Sequence, residues 1–275
     1  MAISILQNVV NIIISLLLVY VFGLKVEGVA LGTVVAQYAG FFVALTFLWR
    51  FYRKLFRKTN DACERPHSEG LSHIAFLHVN RDIFLRTLCL VAVNLYFTSA
   101  GARQGAEILA VNTLLMQLYL LFSDILDGFA YAGEALGGRY WGAKDRYAYN
   151  DVVRRLFGWG ALMTVVFTSI YVIGGMPFLR LLTNEPSVVE ASKAYVWWAY
   201  LVPAAGLAAF IWDGIFIGTT QTRGMLISSA IAAMVFFATA TITIKIMGNH
   251  GLWLSMILYL VTRGLVQTII TQKLI

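Results

Sequence analysis

Eight stretches of this chain are apolar for about twenty residues at a time, and that pattern decides what it can fold into. They run over roughly 2–22, 28–49, 79–100, 107–129, 153–174, 194–217, 225–247 and 251–271. At about 1.5 Å per residue, each is long enough as a helix to cross a hydrocarbon layer of about 30 Å. The bulk composition agrees, with 59% hydrophobic and 13% charged residues. Soluble domains have roughly 45–50% and about 25%. The expected fold is an all-α polytopic membrane protein with about eight transmembrane helices. The first run lacks a basic residue ahead of its apolar core and a small-residue cleavage signature, so it reads as a span and not as a signal peptide.

The long polar stretch RFYRKLFRKTNDACERPHSEGLSH separates the second and third runs. Its start extends a helix, with Arg53, Lys54 and Arg57 on one face. Asn60, Asp61, Pro66, Ser68 and Gly70 then break it. The expected organisation is two helices over 1–50, a basic linker over 51–78 and six helices over 79–275. Of the 21 Lys and Arg residues, fifteen fall on the linker's side of the membrane and five on the other, with Arg86 inside a span. Basic residues concentrate on the cytoplasmic side. Linker and both termini are therefore expected in the cytoplasm, and the formal charge of +7 reflects topology and requires no nucleic acid. Cys63 and Cys89 fit no metal or redox spacing, and none of the four histidines sits in a metal-binding pattern.

Acids inside apolar runs are the candidates for function, because a carboxylate at the membrane centre costs roughly 2.5–3.5 kcal/mol on insertion scales. Residues 122–143 read FSDILDGFAYAGEALGGRYWGA. Asp124, Asp127 and Glu134 fall along one stripe at 3.6 residues per turn, surrounded by Gly and Ala that let helices approach closely. The stripe is expected to line a cavity, with Glu134 alternatively solvated at the interface near Arg139. Asp213 lies ten residues after Pro203, which removes a backbone donor and should kink its helix. A carboxylate buried there can hold a proton or a small cation, or serve as a hydrogen-bonded structural group. Asp82 and Arg86 are spaced i, i+4 and can pair, and Asn94 lies deeper in the same span. Asn8, Asn11 and Ser15 give the first span a polar face. VEGVALG (26–32) and NHGLWLS (249–255) echo each other, each opening a span after a short turn.

No nucleophile elbow, phosphate loop or dinucleotide turn appears. DILD (124–127) could hold Mg²⁺ and a diphosphate, as in membrane prenyltransferases, but that chemistry wants further acids and no second acidic cluster occurs. An enzyme is not expected.

NVVNIIISLLLVYVFGLKVEGVALGTVVAQYAG resembles the fifth and sixth helices of MATE (multidrug and toxic compound extrusion) transporters. ILAVNTLLMQLYLLFSDILDGFAYAGEALGGRYWGA is similar to their eighth helix and the loop after it. LLTNEPSVVEASKAYVWWAYLVPAAGLAAFIWDGIFIGTTQTRGM is similar to their tenth, in the manner of the DinF-like (DNA-damage-inducible) branch. The resemblance covers essentially the whole chain. It implies twelve helices in two six-helix lobes around a central cavity, with this chain supplying the last two helices of the first lobe, the linker and the second lobe. It implies a secondary antiporter of the bacterial inner membrane that exports organic cations or amphipathic xenobiotics in exchange for Na⁺ or H⁺, with no other cofactor. Asp213 occupies the place of a tenth-helix acid used in ion coupling or substrate binding, where either Na⁺ or H⁺ suits a lone buried carboxylate. Ser15 stands where many relatives carry an acid. Four helices of the family pattern have no counterpart, so the chain alone is not expected to transport without those helices or a second copy. A flippase for a lipid-linked precursor and a non-transporting membrane scaffold are the alternatives.

Overall fold

A computed structural model describes residues 2–24, 26–58 and 73–272. The chain divides into two compact units, residues 1–70 and 71–275. Of the expected linker over 51–78, residues 59–72 lie outside the described residues, and those on either side of them are helical. The first unit is a hairpin of α1 (Ala2–Tyr20) and α2 (Val26–Lys58). Gly23, at φ 68, opens the turn. Gly28 then lets the start of α2 settle against Leu18, and Gly32 lies against Ser15. The polar series on α1 is partly self-satisfied, since the Ser15 hydroxyl donates to Asn11 Oδ1 at 2.9 Å.

The second unit contains α3 (His73–Arg103), α4 (Ala106–Gly142), α5 (Arg146–Leu182), the short α6 (Pro186–Ser192), α7 (Val196–Gly218), α8 (Thr222–Met247) and α9 (Asn249–Gln272). Seven of the described helices are long and apolar enough to cross a membrane, and α1 contributes a shorter apolar helix, Leu6–Tyr20. All eight expected spans are helical, but α4 and α5 overrun theirs. At 37 residues each extends about 55 Å, well past the hydrocarbon. Helical hydrogen bonding needs no lipid, so α4 continues past the apolar run through Gly137 and Gly138. Between them Lys144 takes the left-handed conformation and the Asp145 carboxylate caps α5 by accepting from the Ala148 N–H at 3.0 Å. At the start of α6 the Thr183 hydroxyl accepts the Glu185 N–H at 3.2 Å. Pro203 lies within α7, which runs on to Gly218.

The bundle is apolar outside and partly polar inside. Val165, Ile173 and Ile246 are exposed, as suits helices bathed in acyl chains. Inside, Trp253 meets Phe97 edge-on at 5.1 Å. The Asn112 side chain bridges α4 and α9: its Oδ1 accepts from Asn249 Nδ2 and Trp253 Nε1, each at 2.9 Å, and its Nδ2 donates to Asn249 Oδ1 at 2.8 Å. The echo between the two hairpins has a physical counterpart. Gly251, the third residue of α9, lies against the Thr243 backbone as Gly28, the third of α2, lies against Leu18.

Candidate functional site

Two features of α7 build the site: glycines that allow a close approach by α4, and the acid beside them. Gly214 faces the Ala130 backbone and Gly218 faces that of Glu134; a Cβ added to Gly218 would lie only 2.7 Å from Glu134 Cα. Gly138 continues the seam against Gly218. Ala130, Glu134 and Gly138 are spaced by four, as are Gly214 and Gly218, so one row of small surfaces on each helix meets the other. The small-residue character expected of residues 128–138 is thus used for helix contact. Glu134 is half-buried on that seam.

Asp213 precedes the first seam glycine and is 7% exposed. Its Oδ2 accepts from Arg86 Nη2 of α3, and from Arg263 Nη2 of α9 at 2.7 Å. Its Oδ1 accepts from Gln267 Nε2 at 2.6 Å. One carboxylate therefore joins α3, α7 and α9. Arg263 is 2% exposed. Its guanidinium lies 5.7 Å from the Phe210 ring centroid and 5.9 Å from that of Tyr259, and Nη1 donates to Tyr259 Oη at 3.5 Å. Such a buried group is tolerable only where charge partners and ring faces replace water. Arg86 Nε and Arg263 Nε are buried without an acceptor among the described residues, and Gln267 Oε1 without a donor.

This arrangement corrects one expectation and bears on a second. Arg86 pairs with Asp213; Asp82 takes Arg81 instead, at 2.9 Å. A Na⁺ beside Asp213 would meet two guanidinium groups, so like-charge repulsion opposes a Na⁺ position there. Among the described residues no group of three or more metal-ligating side chains comes together.

The remaining candidates are spread along α3, α4 and the first unit. Asp127, half-buried, lies one turn before Ala130 and within electrostatic reach of Asp124, Asp213, Arg86 and Arg263. It makes no ion pair among the described residues. Tyr119, two turns earlier on α4, is likewise in the field of Arg263, Asp213 and Arg86. Asp124 is exposed. Asn94 is exposed too, donating to the Leu90 carbonyl of its own helix at 3.1 Å. Asn11 belongs to the first unit, where Ser15 serves it. Sequence reasoning missed Arg263 and Gln267, assigning Arg263 to the basic residues of the cytoplasmic side. The signal was present: Ser255, Tyr259, Arg263, Gln267 and Thr271 are spaced by four along α9, and all are buried.

The MatE family model matches residues 83–243, more than half of the chain. The chain belongs to the MatE family. Its members are transporters and not enzymes. It is 34% identical over 259 residues to the DNA damage-inducible protein F of Escherichia coli K12, covering 94% of this chain and 55% of that one. To the Arabidopsis thaliana Protein DETOXIFICATION 42 it is 23% identical over 266 residues, covering 96% and 49%. The chain thus spans about half the length of these curated relatives. Among solved structures, the Vibrio cholerae MATE transporter VcmN in its bent form matches with a TM-score of 0.77 at 15% identity, over 99% of this chain and 61% of that one. A MATE structure in the straight conformation matches with a TM-score of 0.81 at 16% identity, with the same coverage. These structural matches show the MATE transporter fold. The DinF-like relationship expected from the sequence stands with them, and the MatE member is an integral membrane protein.

Proposed function

We propose that this chain works in secondary active efflux across the bacterial inner membrane, exporting organic cations or amphipathic xenobiotics in exchange for Na⁺ or H⁺. The observation that carries this reading is the MatE match over residues 83–243. The six-helix unit acts as one wall of a two-lobe carrier, and the other lobe completes the substrate path; transport through alternating access requires both. The chain on its own does not transport.

Within that reading the cation, whether substrate or coupling ion, is met by Asp127. Asp213 is neutralised by Arg86 and Arg263, whereas Asp127 keeps its charge unpaired among the described residues. Asp124, one turn away, adds to the negative field. The flippase alternative draws on the same two buried arginines, since an anionic headgroup needs a cationic cavity. Against those two positive charges, however, stand three acids in the same neighbourhood, Asp213, Asp127 and Asp124, which favours a cationic cargo. The basic side carrying Arg139, Lys144, Arg154 and Arg155 faces the cytoplasm, as do both termini.

The test uses an efflux-deficient bacterium and a fluorescent organic cation. Cells making this chain alone should accumulate dye like empty cells. Cells making it joined to the N-terminal helices of its E. coli relative should extrude dye, and Asp127→Asn in that fusion should abolish extrusion while leaving membrane levels unchanged. Extrusion by the chain alone, or a fully active Asp127→Asn fusion, would overturn the proposal.

A further inference from the structure

At the end of the bundle where α3 begins, α7 turns into α8 and α9 finishes, a cavity of about 800 Å³ opens. Its polar wall carries Arg223, Arg81, His78 and the carboxylate of Asp82, and its apolar wall includes Ile227 and Ile270. Arg81 is occupied by Asp82. Arg223 is exposed and makes no ion pair among the described residues. The first turn of α8 also opens on this wall: its N-cap residue Gln221 makes no side-chain capping bond, and while the Gly224 N–H donates to the Gln221 carbonyl at 3.1 Å, the Thr222 and Arg223 N–H groups of this 26-residue helix are left for an outside acceptor.

A free guanidinium, uncapped amides and an imidazole on one side, with aliphatic side chains on the other, match a molecule that is anionic at one end and apolar at the other. We propose that this cavity binds the headgroup of an anionic phospholipid, with the phosphodiester at Arg223 and the start of α8 and an acyl chain along Ile227 and Ile270. Basic pockets between transmembrane helices near the cytoplasmic face are suited to such headgroups. The assignment to the cytoplasmic leaflet rests on the orientation proposed above; the lipid selectivity does not.

Native mass spectrometry of the full chain in detergent, mixed with phosphatidylglycerol or phosphatidylcholine, tests it. Phosphatidylglycerol should be retained several-fold more strongly. Arg223→Gln should lower that preference about 5-fold, the scale of one basic contact at a membrane surface, and Arg223→Lys should restore most of it. Arg154→Gln removes an exposed charge from the same end of the bundle and should change nothing. Equal loss with Arg154→Gln would mean diffuse surface attraction and would overturn the site, as would no preference between the lipids. Displacement of phosphatidylglycerol by millimolar inorganic phosphate would identify a small-anion site instead and equally overturn the lipid proposal.

Discussion

Asp213 accepts from two guanidinium groups and an amide in a place almost sealed from solvent. Removing one partner of a buried ion pair leaves the other charge stranded, at a cost of about 3–5 kcal/mol. Asp213→Ala is therefore expected to lower the melting temperature of the detergent-purified protein sharply, more than Asp127→Ala at its half-exposed position. Asp213→Leu combined with Arg263→Leu should lose less stability than the two single changes added together, as a double-mutant cycle would show. Asn112→Leu strands Trp253 Nε1 and the Asn249 amide, each orphan costing about 1–3 kcal/mol; a thermal melt reads this directly. The sequence made Asp213 and Arg86 visible because charges are rare within apolar runs. Arg263 escaped notice because its distance from the end of a run left it assignable to the interface. Gln267 carries no charge to announce it. Pairing partners were not legible: Arg86 has an acid one turn away in Asp82, yet it meets the acid 127 residues on, and since both acids are buried the choice is made by how α3 faces α7 and not by spacing along one helix.

The α4–α7 seam depends on the absence of side chains. Gly218→Ala must push a methyl group into the Glu134 backbone, and overpacking of this kind costs about 1–3 kcal/mol. Gly158→Ala, on a part of α5 with nothing within 4 Å of the added carbon, should be neutral or raise the melting temperature, since Gly is about 1 kcal/mol poorer than Ala in a helix. A pair of melting curves separates the two sites. Helix existence was legible from apolar length, and small residues on α4 pointed to a close neighbour. Which helix that neighbour is was not legible, because Gly214 and Gly218 lie some eighty residues away. Helix ends were misjudged where hydropathy marks the membrane and not the chain: α4 and α5 continue as helices into polar surroundings.

Apolar exteriors and a basic end give the second unit a fixed orientation in a bilayer. With Cys63 and Cys89 replaced by Ser, Tyr147→Cys at the α4–α5 end should react with a membrane-impermeant maleimide only after cells are permeabilised, whereas Leu181→Cys at the far end of α5 should react in intact cells; both positions are highly exposed. The reverse pattern would invert the orientation. Which stretches form long apolar helices could be read from hydropathy alone. The arrangement of α3 to α9 could not, because lipid and helix interior are equally apolar and only close packing and polar contacts choose neighbours. One such contact has a mechanical consequence. Three helices meet at a single carboxylate, and sliding any of them along its axis would part it from a guanidinium or from the Gln267 amide inside the apolar bundle. Shear inside this bundle is thereby opposed at that point, and α3, α7 and α9 are tied together as one block.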